Sequence, residues 1–80
     1  MTTNKPAFQI DDGLISLTVW ENPTENSSIF SAELTRSYQE DDQWKKTHSL
    51  SGADLLIAAR LYERAYDQIA RIRAKRREEA

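Results

Sequence analysis

The chain has no cysteine, one histidine and one methionine, and only two glycines and two prolines, in 80 residues. Without cysteine, neither a disulfide nor a thiolate metal site is available to hold a small fold together. One histidine falls short of a zinc ligand set. No run approaches the roughly 20 apolar residues of a membrane span. The opening MTTNKPAF holds no apolar stretch of signal-peptide length. These absences predict a soluble, intracellular, cytoplasmic protein with no membrane partner. A glycine-rich phosphate loop, a nucleophile–base pair and metal-ligand spacing are all missing too, so neither an enzyme nor a cofactor-binding protein is expected. What remains to stabilise the chain is apolar burial. A chain this short buries only about 60% of its unfolded surface, which makes oligomerisation the natural way to enlarge the core.

The charges nearly cancel in total but are uneven in place. The formal net charge is −2. Residues 1–50 carry four basic and eight acidic side chains, and residues 51–80 carry seven and five. Five of the bases fall between Arg71 and Arg77. A slightly acidic chain is not built to coat duplex DNA through bulk attraction, so any binding has to come from local patches.

Hydrophobic spacing divides the chain into four strands and a helix. Residues 1–6 are expected to be a disordered tail. FQI (8–10) alternates and leads into Asp11-Asp12-Gly13, a tight-turn signal. In LISLTVW (14–20), Ile15, Leu17 and Val19 share one face, while Leu14, Ser16, Thr18 and Trp20 share the other. ENPTENS (21–27) is a loop in which Pro23 halts the strand. SIFSAELTRSY (28–38) is the third strand. Arg36 and Tyr38 continue the parity of Phe30, Ala32 and Leu34, so a twist or bulge is expected ahead of them. QEDD (39–42) turns the chain into QWKKTHSL (43–50), where a one-residue slip exchanges Trp44 and Lys45 between faces.

The helix start has the clearest local signature. Ser51 fits an N-cap with Asp54 three residues on, and Leu50 and Leu55 flank the cap at staple positions. The helical period then holds through Ile72, and RAKRREEA (73–80) is expected to fray. The apolar arc is about half the circumference, wider than one sheet face requires. Leu55, Ala59, Tyr62, Tyr66 and Ile69 are therefore expected to pack on the same helix of a second copy. The predicted fold class is α+β. It comprises a four-stranded antiparallel meander and one long C-terminal helix (β-β-β-β-α), in a single domain over 7–72 that dimerises through the helices.

Several chemistry-bearing groups have two accounts each. The acids of Asp11-Asp12 and Glu40-Asp41-Asp42 are ordinary turn residues or a carboxylate metal site. His48 is a hydrogen-bonded strand residue or a base. The Arg71–Arg77 tract complements the helix dipole or contacts phosphate. Trp20 and Trp44 close the ends of the core or stand on an open face. With Arg36, Tyr38, Lys45 and Lys46, the two tryptophans form a set of rings and cations that suits stacking of unpaired bases. The same rings would also suit a protein partner, as the hot spot of a small interaction or regulatory subunit.

The element order, FQI at the first strand, an aromatic closing the second, and WKKTHSLSGADLLIAARL (44–61) running from basic strand to helix together resemble the Positive Cofactor Four family. These are transcriptional coactivators with bacterial relatives, and the Whirly proteins are structurally related to them. The resemblance implies a homodimer formed through the helices, with single-stranded DNA held across the exposed sheet faces in transcription, replication or repair. By position, Lys45 and Lys46 resemble the family's cations before the helix, with Trp44 beside them and Trp20 at the aromatic end of strand two. Thr47-His48 stands where the family has a Lys-Gly approach. The loops here are more acidic, and the family's basic N-terminal segments are missing.

Overall fold

A computed structural model describes residues 5–79. Four strands, β1 (Pro6–Asp12), β2 (Ile15–Pro23), β3 (Ser28–Glu40) and β4 (Gln43–Thr47), form one antiparallel sheet in the order β1-β2-β3-β4. A short 3₁₀ turn (Gly52–Asp54) leads into the helix α1 (Leu55–Glu79). The protein is thus an α+β meander with one C-terminal helix.

Two tight turns set the register. Asp12 pairs with Ile15, which leaves Gly13-Leu14 as a two-residue loop, and Gly13 has φ 63°. That is the position where a II′ hairpin requires positive φ and hence glycine. At the other end Glu40 pairs with Gln43 around Asp41 and Asp42, whose φ values are 52° and 63°. Two successive left-handed residues match a I′ turn, and aspartate is among the few side chains that accept this conformation.

The strands run longer than alternation alone indicates. β2 continues through Pro23, which pairs with Ser28, and the turn beyond is closed by Thr24 N–H donating to the Ser27 carbonyl at 2.7 Å. Proline is tolerated there because the ladder ends at that pair. β1 starts at Pro6, and its irregularity lies between Pro6 and Phe8. β3 has no bulge ahead of Arg36. Its pairing runs unbroken from Pro23↔Ser28 to Ile15↔Arg36 and onward along β4. Arg36 and Tyr38 therefore stay on the side of the sheet that faces the helix.

α1 packs on β1 and β2. Ile10, Ile15, Leu17, Val19 and Leu34 from the sheet meet Ala58, Leu61 and Ala65 from the helix, and Leu17 and Val19 have no exposed surface. Ala58, Leu61 and Ala65 follow the i, i+3, i+7 spacing of one helical stripe. The helix side of β3 and β4 is left partly uncovered, with Ala32 exposed and Phe30 and Tyr38 half-buried.

The junction into α1 is tied on both sides. The Ser51 amide (3.2 Å) and hydroxyl (2.8 Å) both donate to Asp54 Oδ2. Asp54 N–H donates back to the Ser51 carbonyl at 2.9 Å. Arg36 donates from Nε to the Ser49 carbonyl at 3.1 Å and lies 3.5 Å from Asp54. Hydrogen bonds from Ser51, helped by Arg36, hold the Asp54 carboxyl below its ordinary pKa. The helix then continues through the basic tract to Glu79, where fraying was expected. Alanine, arginine, lysine and glutamate all favour helix, and Arg76 anchors the last turns to Glu21 of β2.

Candidate nucleic-acid interface

Opposite the helix, the sheet is open. By strand parity and pairing this face carries Gln9 and Asp11 of β1, with Ser16, Thr18, Trp20 and Asn22 of β2. β3 adds Ile29, Ser31, Glu33, Thr35, Ser37 and Gln39, and β4 adds Trp44 and Lys46. Its floor is mostly hydroxyl and amide groups, and a large ring stands at each end.

Trp44 is 63% exposed. It pairs with Gln39, and Lys46 pairs with Ser37 on the same face. Lys46 is close enough to Asp11 to help lower its pKa, after hydrogen bonds from Gln9 and Ser16. Gln9 Nε2 donates to Asp11 at 3.0 Å. Trp20 is half-buried and pairs with Ser31. Ile29, exposed, lies diagonally beside it on the same face. Ser31 and Gln39, the β3 partners of the two tryptophans, are eight residues apart. At ~3.3 Å per residue the rings are roughly 26 Å apart along the sheet.

The six expected contact residues do not form one cluster. Trp20, Trp44 and Lys46 share the open face. Arg36, Tyr38 and Lys45 lie on the other, because the unbroken β3 register keeps Arg36 and Tyr38 in phase with Leu34, and Lys45 pairs with Tyr38. Tyr38 and Trp44 do meet at the same end of the sheet, but on opposite sides of it. Arg36 stacks on Tyr38, 6.0 Å from the ring centroid, while its Nε serves the helix junction. Lys45 Nζ lies 2.6 Å from Glu40. These three side chains hold the strand end and the junction together.

His48 donates from Nδ1 to the Leu34 carbonyl at 2.8 Å, and its Nε2 lies 3.9 Å from Glu33. The ring thus bridges the end of β4 to β3. Asp41 and Asp42 sit in the I′ turn, and among the described residues no cluster of His, Cys, Asp and Glu is arranged to hold a metal ion. Nor is any helix among the described residues long and apolar enough to cross a membrane.

The five residues expected at a helix–helix interface lie on one flank of α1. Leu55, Ala59, Tyr62 and Tyr66 are exposed, Tyr66 by 75%, whereas Ile69 is partly buried and packs against the core.

A group at the end of β3 went unseen in the spacing. Phe30 reads as core from its strand and Arg73 as a solvated helix end, yet Arg73 lies over the Phe30 ring at 5.5 Å. The available signal was helical phase: Arg73 follows Tyr62 and Tyr66 on one flank.

No protein-family model, curated protein or solved structure matches the chain. The resemblance to the Positive Cofactor Four family therefore stands on element order and the quoted residues alone.

Proposed function

We propose that the protein is a non-enzymatic, homodimeric module that binds single-stranded nucleic acid, most readily DNA, across its open sheet face. The observation that carries this reading is Trp44, 63% exposed beside Lys46 on a face the helix does not cover. A ring this exposed on an edge strand contributes little to packing in the protomer. A stacked base gives such a ring a partner, worth about 1–3 kcal/mol per base, with an adjacent cation for the phosphate. Trp20 offers a second stacking position, and the hydroxyl floor between them offers donors to an extended strand. The contact set is Trp20, Trp44 and Lys46, without Arg36, Tyr38 and Lys45.

Dimerisation through α1 is part of the same reading. The protomer exposes 6380 Å², about 1,400 Å² more than a compact monomer of 9.2 kDa. Its radius of gyration is 15.1 Å against about 12 Å for a compact chain of this length. A standard interface hides about 800 Å² per partner. The flank of Leu55, Ala59, Tyr62 and Tyr66, beside the uncovered helix side of β3, supplies an apolar surface for that purpose.

Tryptophan fluorescence quenching during titration with oligo-dT tests the open face. Trp44→Ala with Lys46→Ala is expected to weaken binding roughly 5- to 150-fold. Equal affinity of variant and wild type, or no quenching in either, overturns the reading. A protein-partner role is favoured by one specific observation: Asp11 and Glu33 lie on the same face as the rings. Retention on single-stranded DNA cellulose that falls with salt separates the two, since an acidic face recruiting a protein gives none.

A further inference from the structure

The basic end of α1 closes over the head of β3 and makes a cleft on the side of the sheet away from Trp20 and Trp44. Ser27 and Ser28, Phe30, Arg73, Arg76 and Arg77 line about 550 Å³ of space. That volume lies within the range of small-molecule sites. Arg73 is laid against Phe30 at 5.5 Å. A guanidinium stacked on a ring keeps its in-plane N–H donors available for a ligand. Arg76 donates from Nη2 to Glu21 Oε1 at 3.0 Å and from Nη1 to Oε2 of the same carboxylate. The Ser28 hydroxyl donates to that carboxylate at 2.8 Å. Glu21 is thereby fixed as the anchor of Arg76, with its carboxyl lowered to about 2 by Arg76 and then Ser28.

Counting Glu21 against the three arginines leaves two positive charges facing one small cleft. A phosphate monoester is a dianion above its second pKa of about 6, and guanidinium forks match its oxygens. The negative end of the helix dipole opposes an anion here, since Arg76 and Arg77 stand in the last turn of α1, but its charge of about one half is smaller than the net positive charge of the cleft. We infer that this cleft is a binding site for a phosphate monoester, with Arg73 and Arg77 as the principal cations and Ser27 at its rim. The site goes beyond the open-face reading and uses none of its residues.

The chemistry can come from a free nucleotide or from the phosphorylated end of a strand. Backbone and arginine Nε–H NMR shifts provide the readout, with inorganic phosphate as the first probe and acetate as the control anion. Phosphate is expected to shift Ser27, Ser28 and Arg73, and to bind several-fold more weakly as pH falls through its second pKa, which lies near neutrality and above that of a monoester. Arg73→Gln with Arg77→Gln is expected to weaken phosphate about tenfold or more. Arg60→Gln with Arg64→Gln removes the same charge elsewhere on the helix and is expected to leave binding unchanged. Thymidine 5′-monophosphate and 5′-phosphorylated oligo-dT, each against its unphosphorylated form, distinguish the two sources. The inference is overturned if acetate matches phosphate, if lowering the pH has no effect, or if the Arg73/Arg77 variant binds as wild type does. Failure of the open-face reading appears separately, in the unphosphorylated oligo-dT titration.

Discussion

The β1–β2 half of the sheet and the β3–β4 half are built to different plans. β1 and β2 carry Ile10, Ile15, Leu17 and Val19 under the helix, whereas β3 adds Leu34 and β4 adds no buried residue among those described. Polar and ionic ties secure the second half: Arg36 to Ser49 and Asp54, His48 to Leu34, and Lys45 to Glu40. One half is therefore a core in its own right. The other is a surface fastened to that core from its edges, and it presents Trp44 outward.

The sharpest way to break this contrast is to cut the same amount from each half. Leu17→Ala is expected to cost about 2–5 kcal/mol in denaturant unfolding, since its side chain is wholly enclosed. Ile29→Ala, on the exposed face of β3, is expected to stay within about 0.5 kcal/mol. Similar losses at both positions would mean that the second half carries a core of its own.

Next in size is the helix flank. Tyr62→Glu with Tyr66→Glu places charge on the exposed stripe while leaving Ala58, Leu61 and Ala65 in place. Light scattering at tens of micromolar is expected to give twice the 9.2 kDa protomer mass for wild type and the single mass for the variant. A monomeric wild type would end the dimer proposal and leave the open-face reading to be tested alone.

Arg36 and Lys46 sharpen the comparison further, because the spacing placed them in one binding set and the register divides them. Arg36→Ala is expected to cost about 1 kcal/mol through loss of the junction contacts, roughly 5 °C in Tm, with oligo-dT affinity unchanged. Lys46→Ala is expected to do the reverse. If both lower affinity equally with no change in Tm, the assignment of Arg36 to the junction is wrong.

The smallest effect concerns pH. The Glu21 carboxyl is lowered from 4.5 to about 2 by Arg76 and Ser28. A depressed carboxylate contributes stability that is full above the unfolded pKa and lost as pH falls through the folded one. The clasp on the end of α1 is therefore expected to weaken between pH 4.5 and about 2. Amide protection near Arg76, relative to the intrinsic exchange rate at each pH, should fall as pH drops through that window in wild type and be low throughout in Glu21→Gln.

Local signals resolved the fold well and the candidate site only in part. Gly13, the Ser51–Asp54 cap and the alternation of Ile15, Leu17 and Val19 act within a few residues, so spacing alone reveals them. The face assignment of Arg36 and Tyr38 depends on whether β3 bulges, which its pairing with β2 decides. Trp44 and Lys45 were separable in principle. A two-residue turn at Asp41-Asp42 forces Trp44 opposite Gln39 and so onto the polar face, whereas a turn with an odd number of residues would put Lys45 on that face instead. The Phe30–Arg73 contact joins residues far apart in the chain, beyond the reach of any local pattern.

The sheet also has two unpaired borders, β1 and β4. A border strand can recruit a foreign strand and seed fibrils, and natural borders resist this with lysine, proline, bulges and short length. β4 spans five residues with Lys45 and Lys46 among them, and β1 opens on Pro6 with an irregularity before Phe8. Both lysines thus act as guards against self-templating, whatever else they bind. Replacing them with valine is expected to leave the cooperative fold intact and to make concentrated solutions bind amyloid dyes.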